Sequence, residues 1–160
     1  MSREVNASAA AEWASFVIAQ SAPSESPTKG AALSEHVASH QQAITAVLAA
    51  LDAGDLAAAT NHLCDDVTVV FGNFEPLVGA VAFAQLFQQF TSSLQAVLHE
   101  IHHIWPAAND LDVLVASMTA HYTRTDGKRV SLPCCNVFRM RGGLIAEYRV
   151  YMDISPALAA

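Results

Sequence analysis

The chain has 160 residues, 52% hydrophobic and 14% charged, which gives enough apolar side chain for the core of one domain and excludes wholesale disorder. Fifteen acids against eight bases leave a net charge of −7, so the basic footprint that nucleic acid or an anionic membrane requires is missing. No apolar run approaches the roughly 20 residues of a membrane span, the N-terminus has no signal-peptide core, and Cys64, Cys134 and Cys135 cannot all pair, so reduced thiols in a cytoplasm are expected.

Residues 1–33 read as an N-terminal extension and linker, and 34–160 as the compact domain. Within the extension, Trp13, Phe16 and Val17 fall on one face of a short helix over 7–20, though a disordered tail fits as well. The Ser- and Pro-rich stretch 21–30 reads as a linker. Ser39 and Gln42 form a capping box ahead of a helix whose apolar face is Ile44, Val47, Leu48 and Leu51. Gly54 stops that helix and Asp55 caps a second one reaching Leu63. VTVVF (67–71) is β-branched and reads as a strand. A third helix carries Phe83, Leu86, Phe87, Phe90 and Leu94 on its apolar face. Four strands follow, over about 95–105, 111–125, 129–141 and 143–153, with hairpin signals at Asp126-Gly127 and Gly142-Gly143. Helices first and then an antiparallel meander predict an α+β fold, helices on one face of the sheet, with room for a pocket.

The sharpest pattern is His99-Glu100-Ile101-His102-His103, which fits the H-E-x-x-H zinc motif. That chemistry needs a helix and a third ligand. The extended form wants Gly and His where the chain has Pro106 and Asn109, and on a strand His99, Ile101 and His103 share a face with no acid among them. The match therefore reads as a polar strand. No G-x-S-x-G elbow is present, and the vicinal Cys134-Cys135 read as small hydrophobes rather than a redox pair. What remains is a stripe of Ser117, Thr119, His121 and Thr123 on one face of a strand, opposite Leu114, Ala116, Met118 and Ala120. Periodicity alone leaves open whether that stripe faces water or a cavity.

Two stretches go further. ALDAGDLAAATNHLCDDVTVVFGN (50–73) and GKRVSLPCCNVFRMRGGLIAEYRVYMDISP (127–156) resemble the SnoaL-like and ketosteroid-isomerase-like members of the NTF2-like superfamily, over about residues 36–156. The resemblance implies an NTF2-like cone, three N-terminal helices packed on a curved, mainly antiparallel sheet. It aligns Asn136 with the isomerase's pocket-facing acid, which turns Leu132, Cys134 and Phe138 inward. The hairpin alignment then turns Ser117, Thr119, His121 and Thr123 inward, with Tyr148, Val150 and Met152 on the last strand and Val69 and Phe71 on the first. The isomerase machinery itself is absent, since its base position is Phe71 and its first-helix tyrosine is Val47. The epoxide-hydrolase pattern is absent too: His121, Thr123 and Val150 stand at its charged positions, and only Asn73 matches, at its water-holding asparagine.

The implied site is an apolar cone in which His121 moves a proton, Asn136 stabilises an oxyanion and Tyr148 donates or accepts a hydrogen bond. Val69, Phe71, Asn73, Thr119, Thr123, Cys134, Val150 and Met152 line it. Such a set suits isomerisation, cyclisation or dehydration of a hydrophobic carbonyl compound, with no metal or organic cofactor implied. The rival reading is a non-catalytic ligand-binding or assembly domain, with the same pocket and His121 as a wall residue. Val137, Arg139, Arg149 and Tyr151 face outward and predict a homodimer through the outer sheet face, while Asp153 caps its strand end or pairs with Arg149 or a neighbouring subunit.

Overall fold

A computed structural model describes residues 29–158. The expected helix over 7–20 lies outside them, as does most of the extension.

Helix α1 spans Lys29–Asp52 and buries His40, Ile44, Val47, Leu48 and Leu51, a stripe at spacings of three and four. It begins ten residues before the expected cap, so Ser39 and Gln42 sit inside the helix and the last two linker residues are helical. The reason is local: no glycine or proline lies between Ala31 and Ala53, so nothing interrupts propagation back from the apolar face. The C-terminus closes as a Schellman motif. Gly54 (φ +71°) donates to Leu51 O at 3.1 Å and Asp55 N to Ala50 O at 2.9 Å, which fixes Asp52 as the last helical residue. Asp55 then caps the short α2 (Leu56–Thr60) through Ala58 N at 2.9 Å.

Six strands follow: β1 (Leu63–Phe71), the two-residue β2 (Leu77–Val78), β3 (Leu94–Ala107), β4 (Asp110–Arg124), β5 (Arg129–Arg141) and β6 (Leu144–Tyr151). Helix α3 (Ala80–Thr91) lies between β2 and β3, and a single turn, α4 (Ser155–Leu158), closes the described chain. β2 and α4 are too short to show in a sequence pattern. Leu94, expected on the third helix, opens β3 instead. The sheet order is β2-β1-β6-β5-β4-β3, antiparallel except where β1 runs parallel to β6. Two bulges, at Gln95 and His102, bend β3 against β4, and further register shifts lie at the β3–β4 turn and in β6 opposite β5, so the sheet curves around the helices. This is the α+β cone the sequence predicts. Among the described residues no helix is long and apolar enough to cross a membrane.

One face assignment is overturned. In β4 the buried residues are Leu114, Ala116, Met118, Ala120 and Tyr122, so Ser117, Thr119, His121 and Thr123 point away from the core. The cause is one residue in the β4–β5 hairpin. A two-residue turn at Asp126-Gly127 would pair His121 with Leu132 and carry it inward. The loop has three residues instead: Gly127 N donates to Arg124 O and Arg124 N to Lys128 O, both at 2.9 Å, with Gly127 in the left-handed region at φ +81°. Ala120 thereby pairs with Leu132 and Ala116 with Asn136. A one-residue change of register exchanges the two faces of a strand.

Candidate functional site

Between the concave sheet face and helices α1 and α3 lies a cavity of about 470 Å³, within the usual range for small-molecule sites. Leu51 closes it from α1, and Phe83, Phe87 and Phe90 from α3. The first-strand residues Val69 and Phe71, together with Cys134, Val150 and Met152, border it as expected. No lysine or arginine among the described residues does. Besides Glu75 and Gln89, its polar groups fall into two sets.

The first set joins α1 to β3. The Asp52 carboxylate, presented by the last turn of α1, takes the His99 backbone N–H through Oδ2 at 3.0 Å and the imidazole Nδ1 through Oδ1 at 2.5 Å. Both side chains are largely buried, 9% exposed for His99 and 16% for Asp52, and His99 borders the cavity. A carboxylate at a helix C-terminus opposes the helix dipole by about 0.3–1 kcal/mol, so the two hydrogen bonds to His99 are what hold it there. They also fix the ring. With Nδ1–H donating to the carboxylate, a neutral ring has its lone pair on Nε2.

The second set lies across β5 and β6. Cys134 Sγ donates to Asn136 Oδ1 at 3.0 Å, and Asn136 Nδ2 donates to Tyr148 Oη at 3.2 Å and reaches Met118 Sδ at 3.6 Å. Burial pushes the Cys134 thiol up to about 12, with the neighbouring Cys135 adding to it, so the group stays a donor at neutral pH. Burial is also the main cause raising the Tyr148 hydroxyl well above its ordinary value, aided by Cys134, Tyr122 and Asp52 and opposed by the Asn136 hydrogen bond. Tyr148 therefore remains protonated and accepts from Asn136. Its ring is held by stacking on Phe138, centroids 4.6 Å apart. Tyr122, raised by burial in the same way, donates to Met152 Sδ at 3.8 Å.

The sequence-predicted residues thus divide. Asn136 and Tyr148 meet in the cavity wall. His121 does not join them: it lies on the outer sheet face, with Ser131 Oγ at 2.8 Å from Nδ1 and Glu100 Oε2 at 3.0 Å from Nε2. Thr119 bonds His102 on that same face, at 3.2 Å, and Thr123 shares its strand parity. Asn73 is exposed and does not border the cavity, because the turn after β1 carries Phe74 and Glu75 to the mouth instead. Asp153 caps α4 through Ser155 N at 3.0 Å. The H-E-x-x-H segment is a strand, and a bulge between Ile101 and His103 puts His99 inward and His103 outward, stacked on Trp105 at 4.9 Å. The sequence alone did not single out Asp52 or Tyr122, and it offered His99 only as a zinc ligand. The available signals were an acid at the unfavourable end of an apolar helix and a histidine in the alternation Val97-His99-Ile101.

Solved structures share this fold. An LEH-like epoxide hydrolase from M. tuberculosis is 24% identical with a TM-score of 0.64, covering 73% of this chain and 84% of that one. TerC, co-crystallised with polyporic acid, is 16% identical with a TM-score of 0.66, covering 75% and 95%. A candidate polyketide cyclase from Xanthomonas campestris pv. campestris is 20% identical with a TM-score of 0.66, covering 78% and 97%. At these identities the likeness establishes the fold alone. No curated protein matches the chain significantly. The model of the SnoaL-like domain matches residues 44–148, from the buried face of α1 to Tyr148 in the cavity wall, and the chain belongs to that family.

Proposed function

We propose that the protein catalyses cofactor-free proton transfer on a neutral, apolar carbonyl compound, with His99 as the base. The observation that carries this reading is the largely buried Asp52–His99 pair on the wall of an apolar cavity. Asp52 is the positioning residue: it holds the Nδ1–H tautomer, so Nε2 is free to take a proton from carbon beside the carbonyl. Charge developing on the carbonyl oxygen is met by the Tyr148 hydroxyl, itself oriented by Asn136. The C–H bond breaks, its electron pair moves toward oxygen, and the proton rests on Nε2. Return of the proton to another carbon is isomerisation. Delivery to a departing β-hydroxyl releases water and makes the reaction a dehydration. Aromatic walls and the lack of bordering cations favour an uncharged ring system over an acid or a nucleotide.

The test is turnover of a panel of cyclic ketones and β-hydroxy ketones by wild type and His99→Gln. The variant is expected to bind with similar affinity and react at least about 100-fold more slowly, the scale of a lost acid–base group. Binding of the panel without turnover by wild type would instead favour a ligand-binding domain.

The outer sheet face exposes Leu98, Trp105 and Tyr151, each about half accessible, which supports a homodimer through that face. Scattering at micromolar protein is expected to give twice the chain mass, and a monomer would refute it. Two buried thiols and one exposed thiol, none disulfide-bonded, suit a reducing cytoplasm.

A further inference from the structure

A second cluster of ligating side chains lies away from the cavity, and nothing in the proposed reaction uses it. His36 and His40 are one helical turn apart on α1, their rings in edge contact with centroids 4.2 Å apart. Facing them is Asp112, two residues into β4. Its Oδ1 is 2.8 Å from His36 Nε2 and 3.9 Å from His40 Nδ1, and one ligating atom from each residue lies within 4.8 Å of the others.

We infer that His36, His40 and Asp112 form a binding site for a divalent transition-metal ion, zinc being the first to test. Two neutral imidazoles and one carboxylate suit zinc and its neighbours rather than calcium or magnesium, which prefer all-oxygen shells. Zinc bonds of 2.0–2.2 Å place tetrahedral ligand atoms about 3.4 Å apart. The separations of 2.8 and 3.9 Å straddle that value and the two imidazoles' ligand atoms lie within 4.8 Å of each other, so side-chain shifts on the order of an ångström would close the site. His40 is almost wholly buried, and its Nδ1 otherwise meets only Leu111 O at a long 3.4 Å. Asp112 is spared competing cations: the nearby Arg139 is held by Asp110 at 2.9 Å and Glu147 at 3.7 Å, and Asp110 Oδ1 also takes the Asp112 backbone N–H at 3.1 Å. His36 and Asp112 are each about half exposed, which leaves the fourth position to water. A metal there ties the first half of α1 to the start of β4, on the helix whose far end presents Asp52.

The experiment is calorimetric titration of chelator-stripped full-length protein with zinc chloride, and with cobalt(II) read by its visible absorption. Wild type and His99→Gln are expected to bind one ion per chain at micromolar concentration or tighter. His36→Ala and Asp112→Asn are each expected to weaken binding at least about tenfold. Zinc should raise the melting temperature of wild type, and raise that of Asp112→Asn less at the same zinc concentration. Should Asp112→Asn fail to fold, His36→Gln at a half-exposed helical position carries the same comparison. Absence of binding at 100 μM zinc (about 100-fold above the expected range), or equal affinity in wild type and variants, overturns the assignment.

Discussion

Replacing Asp52 by Asn separates what this side chain does for the base from what it does for the fold. Asp52 accepts twice, from the His99 backbone N–H at 3.0 Å and from Nδ1 at 2.5 Å. An asparagine of the same shape has only one acceptor atom, so with its oxygen on the His99 N–H its amide NH₂ faces a ring nitrogen that must now be an acceptor. The imidazole answers by moving its proton to Nε2. All local hydrogen bonds are then made, and the cost is the difference between charged and neutral pairs, about 1 kcal/mol. Relief of the carboxylate's conflict with the helix dipole returns about 0.3–1 kcal/mol. Asp52→Asn is therefore expected within about 1 kcal/mol of wild type by urea unfolding, while Nε2 loses its lone pair and turnover falls about 10³–10⁴-fold. The tautomer needs no substrate to be seen: long-range ¹H–¹⁵N correlation of the His99 ring should show Nδ1–H in wild type and Nε2–H in the variant. An Nε2–H tautomer already in wild type at neutral pH would refute the reasoning.

Four further outcomes follow from the same geometry. Cys134, Tyr122 and Tyr148 all have raised folded-state values, so above pH 9–10 the unfolded chain releases protons that the folded one keeps. Stability is thus full below pH 9 and falls as pH rises, by up to about 1.4 kcal/mol per pH unit per group. Urea midpoints at pH 8.5, 10 and 11 should decline, less steeply in Cys134→Ala, and a flat profile would count against the burial. Tyr148→Phe leaves Asn136 Nδ2 with only the Met118 sulfur, while Oδ1 keeps Cys134, at an expected cost of about 1–2 kcal/mol by urea unfolding. Turnover on the cyclic-ketone panel should fall about 10²–10³-fold, and unchanged kcat would remove the oxyanion role. His121→Gln sits on the outer face and is expected within about 0.5 kcal/mol of wild type with normal turnover; a large loss would restore it to the site. Ala120→Phe fills the cavity beside His99, so ligand binding measured by fluorescence should disappear while the His99 tautomer signal persists, and normal binding would exclude this cavity as the site.

The architecture is legible because its signals are local. Alternation in β3 to β6 and the glycine-bearing turns are read within a few residues of where they act. The inward placement of Asn136 and Tyr148 came from the family resemblance of the C-terminal hairpin, and it holds. The face of β4 is not local in this sense. Thr125-Asp126-Gly127 and Asp126-Gly127 are equally good turns, yet the choice between them decides whether His121 or Tyr122 meets the core. The Asp52–His99 pair is harder still. The partners are 47 residues apart, and each alone reads as an ordinary helix-end acid or an ordinary strand histidine. Only the packing of α1 across β3 makes them one unit.

That packing also explains why the cavity stays open. Between the base on β3 and the donors on β5 and β6 runs β4, the middle strand of that wall, whose inward positions include Ala116 and Ala120. Ala120 pairs with His99 on one side, and Ala116 pairs with Asn136 on the other. Of the two only Ala120 borders the cavity, and a large residue there would fill it as ordinary core. Alanine forgoes that burial, at about 25 cal/mol per Å² of apolar surface not removed from water, and leaves a gap bordered by a base and by hydroxyl and amide donors. The carboxylate at the wrong end of a helix and the tyrosine hydroxyl buried beside the gap each cost stability as well. Three such concessions converge on one volume. A domain selected only for a packed core would fill that volume, so the concessions favour a site over a packing defect.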